Sequence, residues 1–166
     1  DMTWDLYWYK NNYALPQYRE TINRQVKNLQ IYHTMGNHDN DFMTTSDYDA
    51  AVKYVDCIGH SEQENYRYDY DLVTKAFAAN HKVVELNGNS FNVRKDGIPN
   101  MKALLAACLQ NGCHIAVDSD AHSTHQLQHG LTALYAMLEE MQFPQELVVN
   151  ATRQNLCLLY TSPSPR

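Results

Sequence analysis

The residues best suited to chemistry lie in segment 113–123, which reads C-H-I-A-V-D-S-D-A-H-S. A short apolar run leads into Asp118, Asp120 and His122, which predicts a buried strand with carboxylates and an imidazole at its carboxyl end. Asp120 and His122 are two residues apart, so an extended backbone directs both side chains to one side. Such donors suit Zn²⁺, Mn²⁺ or Fe. Taken alone, the motif favours a strand followed by a polar turn, because short motifs often match by chance.

Two further predicted strands end in polar side chains. His60 follows an apolar segment at 55–59, and Glu85 and Asn87 stand at the end of V-V-E-L. Amphipathic helical patterns separate the strands. This alternation predicts parallel strands with right-handed crossovers, in part of a barrel or in a layered α/β sheet. Because parallel strands align their carboxyl ends, we expect His60, the 85–87 turn, Asp120 and His122 to gather at one rim.

Positive charge near this rim could bind an anion. Arg94 and Lys95 follow Phe91 and could neutralise phosphate oxygens, although a solvated loop charge is the commoner role. His125 and His129 are four residues apart and could share a helix face as a metal pair, but surface histidines are the simpler interpretation. We therefore keep Arg94 as the candidate phosphate ligand.

Three of these motifs, in this order, resemble the PHP (polymerase and histidinol phosphatase) family of metallohydrolases. They are I-G-H at 58–60, V-E-L-N-G-N-S-F at 84–91 and D-S-D-A-H at 118–122. The resemblance covers about residues 55–159, is strongest to a bacterial branch of zinc phosphatases, and implies a distorted β/α barrel with metals at its carboxyl rim. It implies that His60, Asp120 and His122 are metal ligands, with Glu85 and Asn87 as rim or supporting positions. The family's H-x-H motif does not occur in the sequence.

The first third resembles another family, the calcineurin-like metallophosphoesterases. G-N-H-D at 36–39 follows a predicted strand near 29–35, and D-M-T at 1–3 looks like a G-D motif without its glycine. The resemblance implies that Asp1 and Asn37 bind metal and that His38 contacts the substrate phosphate. The family's later histidine motifs, including G-H-x-H, are absent from the sequence.

The two resemblances imply three segments: a metallophosphoesterase-like fragment at 1–56, a PHP-type partial barrel at 57–157 and a disordered or artefactual tail at 158–166. We expect a fragmentary chain that joins pieces of two unrelated metallohydrolases near residues 54–56. The tail, L-L-Y-T-S-P-S-P-R, resembles translated adapter sequence, with an ordinary Ser/Pro-rich terminus as the other interpretation. The expected fold class is α/β, a partial distorted β/α barrel preceded by a smaller α/β fragment.

Composition limits the partners. The 166 residues are 44% hydrophobic and 19% charged, as in globular proteins. A formal net charge of −6 without a Lys/Arg cluster argues against nucleic acid. No apolar run reaches about 18 residues, so no membrane partner is expected. The four cysteines lack a C-x-x-C motif and fit reduced thiols, which predicts a cytoplasmic protein.

The resemblances imply a metal-dependent phosphoesterase that hydrolyses a small phosphorylated substrate with metal-activated water. Zinc is the expected cofactor, with manganese or iron as alternatives. A second interpretation is a catalytically incompetent partial fold, whose open sheet edges would promote oligomerisation. A third is a metal- or phosphate-binding module without turnover.

Overall fold

The computed structural model describes residues 14–26, 34–36, 55–64 and 68–161. Short 3-10 turns lie at Lys95–Gly97, Thr124–Gln126 and Gln145–Leu147. The regular elements, in chain order, are α1 (Ala14–Gln25), β1 (Thr34–Met35), β2 (Cys57–Ile58), α2 (Tyr70–Ala79), β3 (Val83–Asn87), α3 (Ser90–Val93), α4 (Ile98–Asn111), β4 (His114–Asp118), α5 (Leu131–Glu140) and α6 (Arg153–Thr161).

The strands form one parallel sheet in the order β1-β2-β3-β4. Ile58 pairs with Val84, and Val84 pairs with Ile115, so the register continues from β2 to β4. Parallel neighbours need crossovers, and α2 and α4 supply them on either side of β3. The predicted α/β class is confirmed. Within the described residues the sheet is open, and β1 and β4 do not pair to close a barrel.

Strand β1 lies in segment 1–56, which is predicted to be a fragment distinct from segment 57–157. It nevertheless pairs with β2, Thr34 with Cys57 and Met35 with Ile58. Over these residues the two segments therefore contribute to the same sheet. The division of the chain at residue 56 stays a prediction.

Local capping residues fix where α2 begins and where α4 begins and ends. The Asp69 carboxylate accepts a hydrogen bond from the Leu72 N–H at 3.0 Å and caps α2. Helix α4 carries Pro99 in its first turn and ends at Gly112, whose φ of 65° is the left-handed cap that glycine permits. None of the described helices has the length and apolar character needed to cross a bilayer.

The two faces of the sheet differ in polarity. Alternate side chains of β3 and β4 enter the apolar core under the helices, where Leu86 and Ile115 are buried. The intervening residues of these strands lie on the opposite face, so Glu85 and Asn87 of β3 share that face with Asp118 of β4. In a β/α barrel this second face is the one that lines the interior.

Residues 148–150 cover the outer edge of β4. The Val149 N–H donates to the Ile115 carbonyl at 2.9 Å, and Val148 forms a parallel bridge with Ile115. The Asn150 amide continues this pairing, because its Oδ1 accepts from the Val117 N–H at 3.0 Å and its Nδ2 donates to the Val117 carbonyl at 2.6 Å. The edge of β4 is therefore already hydrogen-bonded.

Candidate functional site

Polar residues from three strand ends lie together at the carboxyl rim of the sheet. His60 comes two residues after β2, Asn87 ends β3, and Asp120 comes two residues after β4. His60 is close enough to Asp118 and Asp120 for their charges to act on its imidazole. The structure thus places these residues at one rim, while their roles as ligands stay predictions.

His60 and Asp120 share an uncommon backbone conformation. Their φ angles are 54° and 47°, in the left-handed region that disfavours residues with a side chain. The other described non-glycine residues with positive φ, His81 and Gln142, directly follow helices, where such angles are common. Both residues take part in tight turns, because the Gln63 N–H donates to the His60 carbonyl at 3.2 Å and the Asp120 N–H donates to the Asp118 side chain.

Two carboxyl groups hold these backbones in place. The His60 N–H donates to Glu85 Oε2 at 2.9 Å, and the Asp120 N–H donates to Asp118 Oδ1 at 3.1 Å. The Asp118 carboxylate lies close enough to Glu85 for its charge to act on the Glu85 carboxyl. Burial, reinforced by the neighbouring Asp118 carboxylate, raises the pKa of Glu85 to about 9, so Glu85 is neutral at pH 7.

Arg94 brings a positive charge to the rim. Its Nη2 lies 3.1 Å from Asp120 Oδ2, its Nε donates to Ser90 Oγ at 3.2 Å, and its Nε lies 3.5 Å from Glu62 Oε1. The side chain of Glu62 is 1% exposed and accepts a short hydrogen bond from the Ser90 hydroxyl. Arg94, with 25% of its side chain exposed, is therefore an ordered rim cation rather than a solvated loop charge, whereas Lys95 is exposed.

These neighbours set the charge states at the rim. Burial lowers the pKa of His60, Arg94 acts in the same direction, and nearby carboxylates only partly oppose them. Burial acts to raise the pKa of Asp120, but interactions with Asn87 and Arg94 outweigh it and lower the pKa overall. At neutral pH the rim therefore presents a neutral imidazole beside an ionised carboxylate.

Asn87 offers an unused hydrogen-bond donor. Its Oδ1 accepts from the Asn89 N–H at 2.9 Å, which assigns the orientation of the amide. Its buried Nδ2 influences the Asp120 carboxyl but makes no hydrogen bond of good geometry. A buried donor without a partner is costly, so an oxygen of a bound ligand would be favoured beside it.

The described residues do not assemble a complete metal site. His122 is 76% exposed, with Nδ1 2.9 Å from its own loop's Asp120 carbonyl and 4.0 Å from Asp120 Oδ1. Among residues 14–26, 34–36, 55–64 and 68–161, no group of three or more His, Cys, Asp or Glu side chains could hold a metal ion. As they stand, His60, Asp120 and His122 therefore do not form a site that fits zinc.

The remaining candidate residues either lie outside the described part of the chain or are exposed. Asp1, Asn37 and His38 lie outside the described residues. His125 and His129 are exposed, as the simpler interpretation expects. The contact of Glu62 with Arg94 was not predicted from the sequence. The signal that could have indicated it is the position of Glu62 two residues after His60.

Comparison with known proteins finds relatives that are named probable phosphatases. The chain is 34% identical over 99 residues to a probable phosphatase of Caldicellulosiruptor saccharolyticus and equally so to one of Acetivibrio thermocellus, covering 60% of this chain and 41% of each relative. It is 30% identical over 125 residues to a probable phosphatase of Caldanaerobacter subterraneus, covering 69% of this chain and 49% of the relative. The chain thus spans less than half the length of these curated relatives. No family model matches the sequence.

Proposed function

We propose that this chain carries part of the active site of a phosphatase that hydrolyses small phosphate esters. The likeness to probable phosphatases supports the reaction class. Arg94 is the main reason for assigning this reaction to the rim, because it is a part-buried cation beside His60 and Asp120. In an acidic chain a phosphate ester needs such a local positive charge to bind.

The described residues suit a bound phosphate group in two ways. The Arg94 guanidinium can turn its fork of N–H donors from Asp120 towards phosphate oxygens, and this geometry favours two-point binding. The unused Nδ2 of Asn87 supplies a neutral donor close by. The neutral His60 imidazole can accept a proton at the rim.

Metal dependence and PHP-type chemistry belong to the proposal as well. A divalent metal, most suitably zinc and otherwise manganese or iron, would supply an activated water when bound. Because the described residues lack a three-donor group, we propose that further ligands come from outside them. Metal analysis of the purified full chain by plasma mass spectrometry tests this, and a metal-free protein with full activity would refute it.

The activity test compares two arginine variants with the wild-type chain in p-nitrophenyl phosphate hydrolysis. Arg94→Gln should lower kcat/KM about 30- to 100-fold, the effect of losing roughly 2–3 kcal/mol of charged hydrogen bonding. The control, Arg24→Gln, removes an exposed arginine of α1 and should leave kcat/KM unchanged. Equal effects of the two changes would contradict the assignment.

A binding module without turnover is the second candidate, and the unpaired Asn87 donor is the observation that favours it. In that case inorganic phosphate binds, as calorimetry would show, while no p-nitrophenyl phosphate is hydrolysed. Arg94→Gln would then weaken phosphate binding alone. If the chain neither hydrolyses p-nitrophenyl phosphate nor binds phosphate, the remaining interpretation is the catalytically incompetent partial fold.

A further inference from the structure

We propose that Ser90 is a positioning residue for Arg94. Its hydroxyl links the Arg94 guanidinium to the buried Glu62 carboxylate, so that the Nη groups of the arginine are presented to a phosphate at the rim. The inference rests on the proposed function, because it concerns how the candidate phosphate ligand is held. Ser90 is itself fully buried and is assigned no contact with the substrate.

The Ser90 hydroxyl bridges two charged side chains. It donates to Glu62 Oε1 at 2.5 Å and accepts from Arg94 Nε at 3.2 Å. The Arg94 Nε lies 3.5 Å from Glu62 Oε1, which is longer than the distance of about 2.7–2.9 Å that is typical of a direct hydrogen bond between such charges. The serine hydroxyl therefore carries the hydrogen-bonded connection between the two groups.

Ser90 holds Arg94 at two points. The Arg94 backbone N–H donates to the Ser90 carbonyl at 3.0 Å, and the Arg94 Nε donates to the Ser90 hydroxyl. Because Nε is directed inwards, the Nη end of the guanidinium extends to the rim, where Nη2 lies 3.1 Å from Asp120 Oδ2. The two Nη groups form a planar fork that can bind two phosphate oxygens.

Glu62 is itself held by the beginning of α4. Its backbone carbonyl accepts a hydrogen bond from Asn100 Nδ2 at 3.1 Å. A Cβ on Gly97 would lie 2.8 Å from the same carbonyl oxygen, so the chain before α4 packs directly on the Glu62 backbone. An anchor packed in this way favours one orientation of the Arg94 side chain.

The chemistry of the contact fits a positioning role better than packing alone. A buried carboxylate and hydroxyl cost more to desolvate than an apolar pair of similar volume. Apolar residues could fill the space of Glu62 and Ser90, but they would leave the Arg94 Nε without an acceptor. The polar pair therefore gives the guanidinium an orientation that an apolar pair could not.

Two substitutions of Ser90 separate the hydroxyl from the rest of the side chain. Ser90→Ala removes both hydrogen bonds of the hydroxyl, and Ser90→Thr keeps a hydroxyl at the same position. Thr132→Ala removes an exposed hydroxyl from the first turn of α5, outside the site, and serves as the matched control.

The primary measurement is hydrogen exchange of the Arg94 Nε–H, followed by NMR on the full chain and assigned by the loss of its signal in Arg94→Gln. Ser90→Ala should speed this exchange at least about tenfold, the effect of losing one hydrogen bond of about 1.4 kcal/mol. Ser90→Thr and Thr132→Ala should leave the rate close to wild type. Rescue by threonine is the result that a packing role alone would not produce.

The second measurement is phosphate affinity. Ser90→Ala should weaken the binding of inorganic phosphate about tenfold in a calorimetric titration, because a guanidinium without a fixed direction binds two oxygens less well. The KM for p-nitrophenyl phosphate should rise by about the same factor while kcat changes less than about twofold, since the loss affects binding rather than chemistry. Thr132→Ala should leave phosphate affinity and KM unchanged.

Unchanged Nε–H exchange in Ser90→Ala would overturn the inference, and so would equally fast exchange in Ser90→Ala and Ser90→Thr. If Ser90→Ala does not fold, Ser90→Cys keeps the approximate volume and replaces the hydroxyl by a thiol, which is a weak donor and a weak acceptor. The Arg94 Nε–H should then also exchange faster than in the wild type, and an unchanged rate would again overturn the inference.

The exchange measurement depends on neither turnover nor phosphate binding, so it separates this inference from the proposed function. Faster Nε–H exchange in Ser90→Ala, in a chain that neither binds nor hydrolyses a phosphate ester, would support the orientation of Arg94 by Ser90 and refute the phosphatase. An active chain in which Ser90→Ala changes neither the exchange rate nor KM would refute the positioning role alone.

Discussion

The Nε of Arg94 lies 3.5 Å from Oε1 of Glu62, a carboxylate whose side chain is 1% exposed. A buried carboxylate needs a compensating charge, and Arg94 supplies it while extending its Nη2 to Asp120 at the rim. Glu62, which is almost fully buried, therefore orients the Arg94 guanidinium from the side of the protein interior.

We expect Glu62→Gln to weaken phosphate binding about tenfold, because the neutral amide holds the Arg94 guanidinium less firmly and about 1.4 kcal/mol of orientation is lost. Calorimetric titration with inorganic phosphate measures the change. Glu139→Gln, on the exposed side of α5, is the control and should bind phosphate like the wild type. Unchanged affinity in Glu62→Gln would show that Arg94 does not depend on Glu62.

The Asn150 amide should stabilise the fold through its two bonds to Val117. Asn150→Ala leaves both backbone groups of Val117 without these partners, so the free energy of unfolding should fall by about 2 kcal/mol. Urea unfolding followed by circular dichroism measures it. The same truncation at exposed Gln128 should change the free energy by less than about 0.5 kcal/mol, and a comparable loss there would argue against a specific edge contact.

Gly130 should tolerate no side chain. Its φ is 69°, and a Cβ would approach the Gly88 carbonyl oxygen to 1.6 Å, so the loop after β4 packs directly on the backbone of the turn after β3. Gly130→Ala should destabilise the chain by more than about 2 kcal/mol, through strain and overpacking together. Gly112→Ala adds only the backbone strain, because nothing lies within 4 Å of its Cβ, and should cost less. Thermal unfolding followed by circular dichroism measures both variants.

Stability should decline with pH because of Glu85. Its pKa is about 9 in the fold against 4.5 ordinarily, so the folded chain retains a proton that the unfolded chain releases. This contribution is complete below about pH 4.5 and disappears as the pH rises to about 9, with a slope of at most about 1.4 kcal/mol per pH unit. Urea midpoints measured from pH 5 to 9 should show a flatter decline in Glu85→Gln. An unchanged slope would mean that Glu85 titrates normally.

The cysteines should differ in reactivity. Burial raises the pKa of the Cys57 thiol to about 12, and the nearby Glu85 and Asp118 carboxyls add to the effect. Cys57 should therefore resist iodoacetamide at pH 8 in the folded protein, whereas the exposed Cys157 should be alkylated. Peptide mass spectrometry measures both sites, and unfolding in urea should expose Cys57. Rapid labelling of Cys57 without denaturant would contradict its raised pKa.

Local sequence signals predicted the elements but only part of the site. The apolar run before Asp118, the Asp69 cap and the Gly112 stop are local, so the strand and the helix boundaries could be inferred from them. The surroundings of Arg94 could not, because short helix α3 directs it to Glu62, which is distant in sequence. The backbone of His60 likewise depends on Glu85 of a neighbouring strand, whereas that of Asp120 has its partner, Asp118, two residues earlier.

The cap on β4 makes growth of the sheet directional. Val148 and Asn150 already bond the free side of that strand, so in the described part of the chain the edge left open to a further strand is that of β1. Within residues 14–26, 34–36, 55–64 and 68–161, a strand from a second polypeptide would thus find an open edge at β1 and none at β4.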